Sequence, residues 1–425
     1  MTNQNKGLLV PFIAITTLFF AWGAITQLVD PLVASVRAIF SLSYTEALLT
    51  QFAYFLAYGV ISLPGAAMVA RVGYGRSIVI ALVTMIVGCL IIPLATYLGT
   101  YEIVLVALFI IASGVTVLQV AANPLASALG PQNKSHFRLL LAQTFNSLGT
   151  VVAPFVGSAI MLTGGIFAAG GGAADEVTRR AASLRSIDTA FFIIVVMLAL
   201  LTVLIIAFRK RMEAVAPTLA TGTATPVLSA LGSRWAVLGA AAIFLYVGAE
   251  VSIGSILINF MHQKDVLDFS LEQAGKYLSF YWGGAFVGRI LGSIVLLRAP
   301  AWRMLMLVAG VAALLCLAVS QSAGHVSGYA ALAIGLFNSI MFPVIFTLTL
   351  ERSTASQAAT SGLLCMAIVG GAILPLLVGL VGDSVGLHAS FIVPMIAYAA
   401  ICLFAFAAGR APVVVRDQAA AGVAH

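Results

Sequence analysis

Asp30 lies late in an apolar run, 8–36, with Trp22 and Gln27 ahead of it. A carboxylate in such a run can take up and release a proton, or it can hold a cation. At the centre of a membrane-spanning helix it costs about 3 kcal/mol, so it faces a polar cavity or a partner. Asp30 is therefore the first candidate for a coupling site. Polar side chains then recur in pairs at helical spacing: Gln27 with Asp30, Gln119 with Asn123, and Gln143 with Asn146. Residues three or four apart share one helix face. Amides both donate and accept, as hydroxyls do, so three such faces turned to one cavity suit a neutral polyol. The competing use of these amides is to bond helices to one another. Trp22, Tyr54, Phe145, Tyr281 and Trp282 sit near the same faces, and a pyranose ring stacks well on such side chains.

Glu250, in the string Phe244-Leu-Tyr-Val-Gly-Ala-Glu250, is a second acid within an apolar run. The expectation is that it pairs with Arg289 or helps to hold a cation. Arg289 itself stands among Gly284, Gly288 and Gly292, a spacing that lets two helices approach closely. Arg71 and Arg76 close the second run and open the third, where arginines either clamp neighbouring helices as a gate or anchor the chain at the membrane surface. One catalytic pattern is met, Gly382-Asp-Ser384-Val-Gly386 with His388 nearby. That elbow needs a strand, a turn and a helix in an α/β sheet, whereas here it joins two apolar runs. No phosphate-binding loop, HExxH or CxxC pattern is present, and the four cysteines each sit alone in an apolar run. No enzyme, catalytic residue, metal site or cofactor is expected.

The elements that must position these groups are membrane helices. The chain of 425 residues is 62% hydrophobic and 8% charged, against about 25% charged in soluble domains. Twelve apolar segments are predicted, at 8–36, 44–70, 75–97, 102–129, 137–164, 189–208, 236–261, 275–297, 304–320, 327–350, 357–381 and 388–409. A loop at 164–188 carries the run Gly170 to Gly172. The organisation expected is a six-helix unit at 1–208, a linker at 209–235 opening on Arg209, Lys210 and Arg211, and a second six-helix unit with a short tail at 236–425. Fifteen of the 21 basic residues fall on the side of the termini, so both termini are expected in the cytoplasm. The net charge of +7 then reflects membrane orientation, not nucleic acid.

The halves also echo one another. Gly65, Arg71 and Arg76 repeat the spacing of Gly292, Arg298 and Arg303. Gln119 precedes Pro124 as Asn338 precedes Pro343, and Gly149 precedes Pro154 as Gly370 precedes Pro375. Duplicated halves flanking a midplane site are how many secondary carriers alternate access.

The strings that hold these residues extend along nearly all twelve segments. They are Leu18-Phe-Phe-Ala-Trp22 with Asp30-Pro-Leu, Leu118-Gln-Val-Ala-Ala-Asn-Pro124, His136-Phe-Arg with Gln143-Thr-Phe-Asn-Ser-Leu-Gly149, Tyr246-Val-Gly-Ala-Glu250, Ser279-Phe-Tyr-Trp-Gly-Gly284 and Gly335-Leu-Phe-Asn-Ser-Ile-Met-Phe-Pro343. The sequence thereby resembles the major facilitator superfamily, and within it the fucose–galactose–glucose symporter family. The resemblance implies an all-α membrane protein of twelve transmembrane helices in two pseudo-symmetric bundles. It implies a hexose of the glucose or galactose type, imported through a bacterial inner membrane by a monomer with no cofactor. N-acetylglucosamine or fucose is the alternative substrate, and proton/drug antiport the more distant one. Asp30 matches the family's proton-carrying acid. The family's fucose permeases place a glutamate where this chain has Gln119, so a two-carboxylate relay is not available, and sodium is an alternative to the proton. Gln143 and Asn146 match sugar-contacting positions, and Gln27, Gln119, Asn123, Asn338 and Trp282 complete the expected site.

Overall fold

A computed structural model describes residues 3–128, 135–167, 176–213, 227–296, 298–355 and 357–413. Residues 214–226 of the expected linker and the run from Gly170 to Gly172 lie outside the described residues. Among those described, none forms a β-strand, and twelve helices are long and apolar enough to cross a membrane. They are Val10–Phe40, Tyr44–Val69, Tyr74–Leu98, Tyr101–Asn123, Leu141–Met161, Glu176–Glu213, Arg234–His262, Leu271–Leu296, Ala301–Gln321, Gly324–Arg352, Ala359–Ser384 and Leu387–Arg410, the first to twelfth spans. The sixth is much longer than its apolar stretch. The charged segment from Glu176 to Asp188 is rich in Ala and Arg and has no Pro or Gly, so helix continues through it. An even number of spans returns both ends of the chain to one face, here called the terminal face. The opposite one is the far face.

Among the described residues four spans are interrupted: the eleventh by a tighter turn at Ala367–Val369, and the first, tenth and twelfth each just ahead of a proline. The first and tenth bear on the site. The first breaks at Leu28, between helices Asn3–Gln27 and Val29–Phe40. Pro31 has no N–H to offer the Gln27 carbonyl four residues back, and its ring crowds that carbonyl. Asp30 thus falls in the first turn of the outer half-helix, where free N–H groups favour a negative charge. The tenth span breaks between Gly324–Asn338 and Met341–Arg352. There Pro343 frees the Ser339 carbonyl, and the Arg289 Nε caps it at 3.3 Å.

Packing repeats between the halves. The third span lies on the sixth as the ninth on the twelfth; the first on the fifth as the seventh on the eleventh; the second on the fourth as the eighth on the tenth. The echoing glycines occupy matching places. A Cβ at Gly149 would overlap the Phe20 carbonyl of the first span, and one at Gly370 the Phe244 carbonyl of the seventh. Close helix approach therefore explains that part of the repeat. The bundles meet along two equivalent seams, second span on eleventh and fifth on eighth.

The far face is shut. Asp383, at the end of the eleventh span, accepts from the Tyr44 N–H at 2.7 Å, the Thr45 N–H at 2.9 Å and the Thr45 hydroxyl at 2.6 Å. It caps the N-terminus of a helix in the other bundle, beside the helix's own capping box of Ser43 and Glu46. Toward the terminal face, the buried Arg352 of the tenth span donates to the Ala408 carbonyl of the twelfth at 2.7 Å, and Arg209 pairs with Glu213 within the sixth span at 3.6 Å.

Replacing Asp383 with Ala strips three acceptor contacts from the Tyr44 end of the second span. Losing a helix cap costs about 1 kcal/mol, so the population open at the far face is expected to rise about fivefold. Distance distributions between spin labels on the far ends of the second and eleventh spans check this. An unchanged distribution refutes the latch.

Candidate functional site

Between the bundles lies a cavity of about 200 Å³, below the roughly 300–1,000 Å³ of pockets that take drug-sized ligands. The first half contributes Gln27, Gln119 and Asn146 to its wall, and the second half Glu250 and Arg289. Trp22, Phe55, Tyr58 and Trp282 supply rings. One carboxylate and one guanidinium leave the wall close to neutral, with amides between them. Such a surface offers donors and acceptors to a hydroxylated solute and aromatic faces to its ring.

Asp30 sits just beyond the cavity toward the far face, 3% exposed. Four donors from four spans converge on its carboxylate. Gln27 Nε2 donates to Oδ2 at 3.0 Å and Trp282 Nε1 to the same oxygen at 3.2 Å. Gln51 Nε2 reaches Oδ1 at 3.0 Å, and the Ser255 hydroxyl lies 3.2 Å from it. Two of these donors come from each bundle, so this cage exists only while the far face is closed.

The other expected residues divide. Gln119 Nε2 donates to the Tyr58 hydroxyl at 2.8 Å, and Asn146 Nδ2 to the Phe19 carbonyl at 3.0 Å, each beside the cavity. Gln143 and Asn123 instead bond one another at 3.1 Å and do not line the cavity. At about 1.5 Å per residue, they sit a turn nearer the terminal face than Gln119 and Asn146. Asn338 is fully buried behind the wall. Its Nδ2 donates to the Tyr281 hydroxyl at 2.7 Å, its Oδ1 accepts from Tyr398 at 2.7 Å, and its carbonyl accepts from Tyr246 at 3.1 Å. Tyr281 in turn donates to the Glu250 carbonyl at 3.1 Å. Asn338 thus reaches the site only through this knot.

The expected pair of Glu250 and Arg289 is not formed. Arg289 turns to the carbonyl that Pro343 frees and spans the seam, its Nη1 donating to Ser147 Oγ at 2.8 Å. Gly288 allows this approach, since a Cβ there would strike the Leu336 carbonyl. Arg71 and Arg76 are exposed. Ser384, of the elbow-like string, donates to the Leu380 carbonyl of its own helix. Gln51, Tyr58, Ser147 and Ser255 were not expected from the sequence. A signal existed for two of them: Gln51, Phe55 and Tyr58 recur at helical spacing and form one face of the second span.

The Major Facilitator Superfamily sequence model matches residues 11–364. The glucose/galactose transporter of Brucella abortus (strain 2308) is 40% identical over 410 residues, 95% of each chain. The L-fucose-proton symporter of Escherichia coli K12 is 30% identical over 416 residues, 95% of this chain and 94% of that one. Among solved structures, the Escherichia coli fucose:proton symporter matches with a TM-score of 0.68 at 28% identity, over 95% of this chain and 99% of that chain. A bacterial homologue of the lysosomal transporter Spinster, inward-facing and unoccupied, shares the fold at 16% identity, with a TM-score of 0.65 over 96% and 98% of the two chains.

Asn338→Ala is expected to leave the Tyr398 hydroxyl without its acceptor and to take from Tyr281 one of its two partners, while Tyr246 keeps the backbone carbonyl. An unsatisfied buried polar group costs about 1–3 kcal/mol, so thermal unfolding in detergent should begin several degrees lower. An unchanged unfolding temperature would show that the knot contributes little to the second bundle.

Proposed function

The chain belongs to the major facilitator superfamily, and on that premise we propose that it is a hexose:proton symporter of a bacterial inner membrane, working by alternating access. It is a multi-pass membrane transporter and not an enzyme. One observation carries the reading: a small, near-neutral, amide-lined cavity abuts a carboxylate that both bundles hold. The names of the relatives supply the substrate class, glucose or galactose before fucose or N-acetylglucosamine. The size of the cavity speaks against drug antiport.

The surroundings of Asp30 favour a proton over sodium. An indole N–H only donates, and Trp282 aims it at the carboxylate. Gln27 and Gln51 likewise present their amide nitrogens, not their oxygens. A cation placed against Asp30 would meet N–H dipoles of the wrong sign. A proton needs no such ligands.

Gln27 links the two sites, since it bonds Asp30 and also lines the cavity. A sugar that engages Gln27, Gln119, Asn146 and Trp282 therefore acts on the same cage that senses the charge of Asp30. Coupling follows if proton and sugar favour the same conformers, which rocking of the bundles then exchanges. Opening of the far face removes Ser255 and Trp282 from Asp30 and admits water and a proton. On the terminal face, taken as cytoplasmic from the distribution of Lys and Arg, closure would bring the bundles together around Arg71 and Arg76. Asn123 and Gln143 would line the inward path, and Glu250 with Arg289 would close the second-half wall around the sugar.

Uptake of labelled glucose, galactose, N-acetylglucosamine and fucose into proteoliposomes tests this, under a proton or a sodium gradient imposed separately. Glucose or galactose should accumulate under the proton gradient alone. Absence of accumulation for all four sugars would sink the proposal. Asp30→Asn should abolish accumulation yet retain sugar exchange, whereas loss of both in a folded protein would deny Asp30 a coupling role. Gln119→Ala should raise the half-saturating sugar concentration about fivefold, the equivalent of one hydrogen bond of about 1 kcal/mol, with proton dependence intact. An unchanged value would remove Gln119 from the site.

A further inference from the structure

The inference drawn here rests on the reading of Asp30 as the proton site and concerns how a sealed carboxylate accommodates the proton. Ser255 is fully buried in the seventh span. Three polar atoms surround its Oγ: Gln51 Nε2 at 2.7 Å, the Val251 carbonyl at 2.8 Å and Asp30 Oδ1 at 3.2 Å. A bond back to the carbonyl four residues earlier is the ordinary habit of a helical serine. The other two neighbours are not ordinary, because both come from the opposite bundle.

The hydrogens can be counted. The Gln51 amide has two, and its geometry directs one to Asp30 Oδ1 and the other to Ser255 Oγ. The Ser255 hydroxyl has one hydrogen for two acceptors, the Val251 carbonyl and Asp30 Oδ1. With that hydrogen on Asp30, the carboxylate has four donors and is fully satisfied as an anion. With it on Val251, Oγ turns a lone pair toward Oδ1. An acid O–H on Oδ1 then has an acceptor 3.2 Å away. Oδ2 has no such option, since Gln27 and Trp282 both donate to it.

We propose that Ser255 is a positioning residue for the transported proton, whose hydroxyl rotates from donor to acceptor as Asp30 Oδ1 gains its hydrogen. The step is a protonation: hydronium at the open far face gives up one O–H bond as the O–H bond on Oδ1 forms, and water is left behind. Release toward the terminal face is the reverse. The far face can then shut over either charge state of Asp30 without leaving a hydrogen-bonding group unmatched.

Of the charged or titratable groups on the elements around Asp30, Tyr246 and Glu250 lie within the seventh span, with Arg234 and His262 at its ends. Tyr281 and Arg289 lie within the eighth, with Glu272, Lys276 and Tyr277 toward its far end. Tyr44, Glu46, Tyr54 and Tyr58 lie on the second, and Arg37 lies on Asp30's own half-helix. On the sixth, Asp188 follows Glu176, Arg179, Arg180 and Arg185 at the far end, with Arg209, Lys210, Arg211 and Glu213 at the other. Asp188 is engaged by Thr96 at 2.7 Å, and Arg37 stacks on the Tyr44 ring at 3.8 Å. The described length of the fifth span, Leu141–Met161, carries none.

The test is a pH-difference infrared titration of the reconstituted full-length protein. The Asp30 acid C=O band is identified by its loss in Asp30→Asn. In Ser255→Ala each charge state loses one bond, the anion a donor and the acid its acceptor, so the midpoint alone does not isolate the acceptor role and the position of the acid C=O band is read instead. That band should move to higher frequency as the acid O–H loses its acceptor. Ser255→Thr retains the hydroxyl and should keep the wild-type band. Should Ser255→Ala not yield a folded protein, Ser255→Cys, whose thiol is a weak acceptor, should move the band in the same direction by less. An acid band unmoved in the Ala or Cys variant overturns the proposal, as does a wild-type protein in which Asp30 shows no titrating band. The titration reads Asp30 without any sugar. Failure of sugar uptake would thus remove the proposed function while leaving the Ser255 result to be judged by itself.

Discussion

A carboxylate shut between two helical bundles, away from water, must have its acceptor capacity filled by the protein. At Asp30 that requirement organises the centre of the molecule. One carboxylate takes bonds from four spans, two in each bundle, and no single bundle can satisfy it. Breaking a buried charge away from its partners costs several kcal/mol unless water or a proton replaces them. The two bundles can therefore part at the far face only as water enters, and this ties the access of water and protons to Asp30 to the position of the bundles.

The cage is held in place by backbone defects. Pro31 breaks the first span and puts Asp30 in the first turn of a half-helix. Pro343 breaks the tenth span and frees a carbonyl, which draws Arg289 across the cavity wall. Non-helical backbone is tolerated at membrane depth only where it is buried in protein or lines a cavity. Both breaks meet that condition. The tyrosine knot around Asn338 stiffens the second bundle where its tenth span is broken, and through Tyr281 it fixes the backbone at Glu250.

What the sequence made legible follows from local physics. Twelve long apolar segments are required by the thickness of a bilayer, so the spans were readable from hydrophobicity alone. Asp30 with Gln27 was readable because three residues of helix bring them together. The repeated glycines were readable as close approaches, and Gly149 and Gly370 meet the equivalent carbonyls of the first and seventh spans. Groups that depend on a partner in a distant span were not. Nothing near Glu250 indicates that Arg289 prefers a carbonyl released by a proline more than fifty residues later. Asn338 and Asn146 look alike in sequence, yet one is buried among tyrosines and the other borders the cavity. Ser255 is one of many serines in apolar helices, and only cross-bundle packing sets it apart.

The two seams differ in how they close. On the second-eleventh seam the far end is a polar latch, Asp383 on the N-terminus of a helix. On the equivalent fifth-eighth seam Gly275 admits the side chain of Ser158, a contact made by small groups. Deeper in the second-eleventh seam the contacts are apolar, Val369 beside Gly59 and Phe55 beside Gly371. Each hydrogen bond at such a seam is worth about 1 kcal/mol net, because water takes its place on opening. The closed and open states are thereby kept within a few kcal/mol of one another. A bound solute can shift an equilibrium only by its differential affinity for the two states. Polar contacts that water can replace at the far ends of the seams help to keep that shift within reach of a single proton and a single small solute.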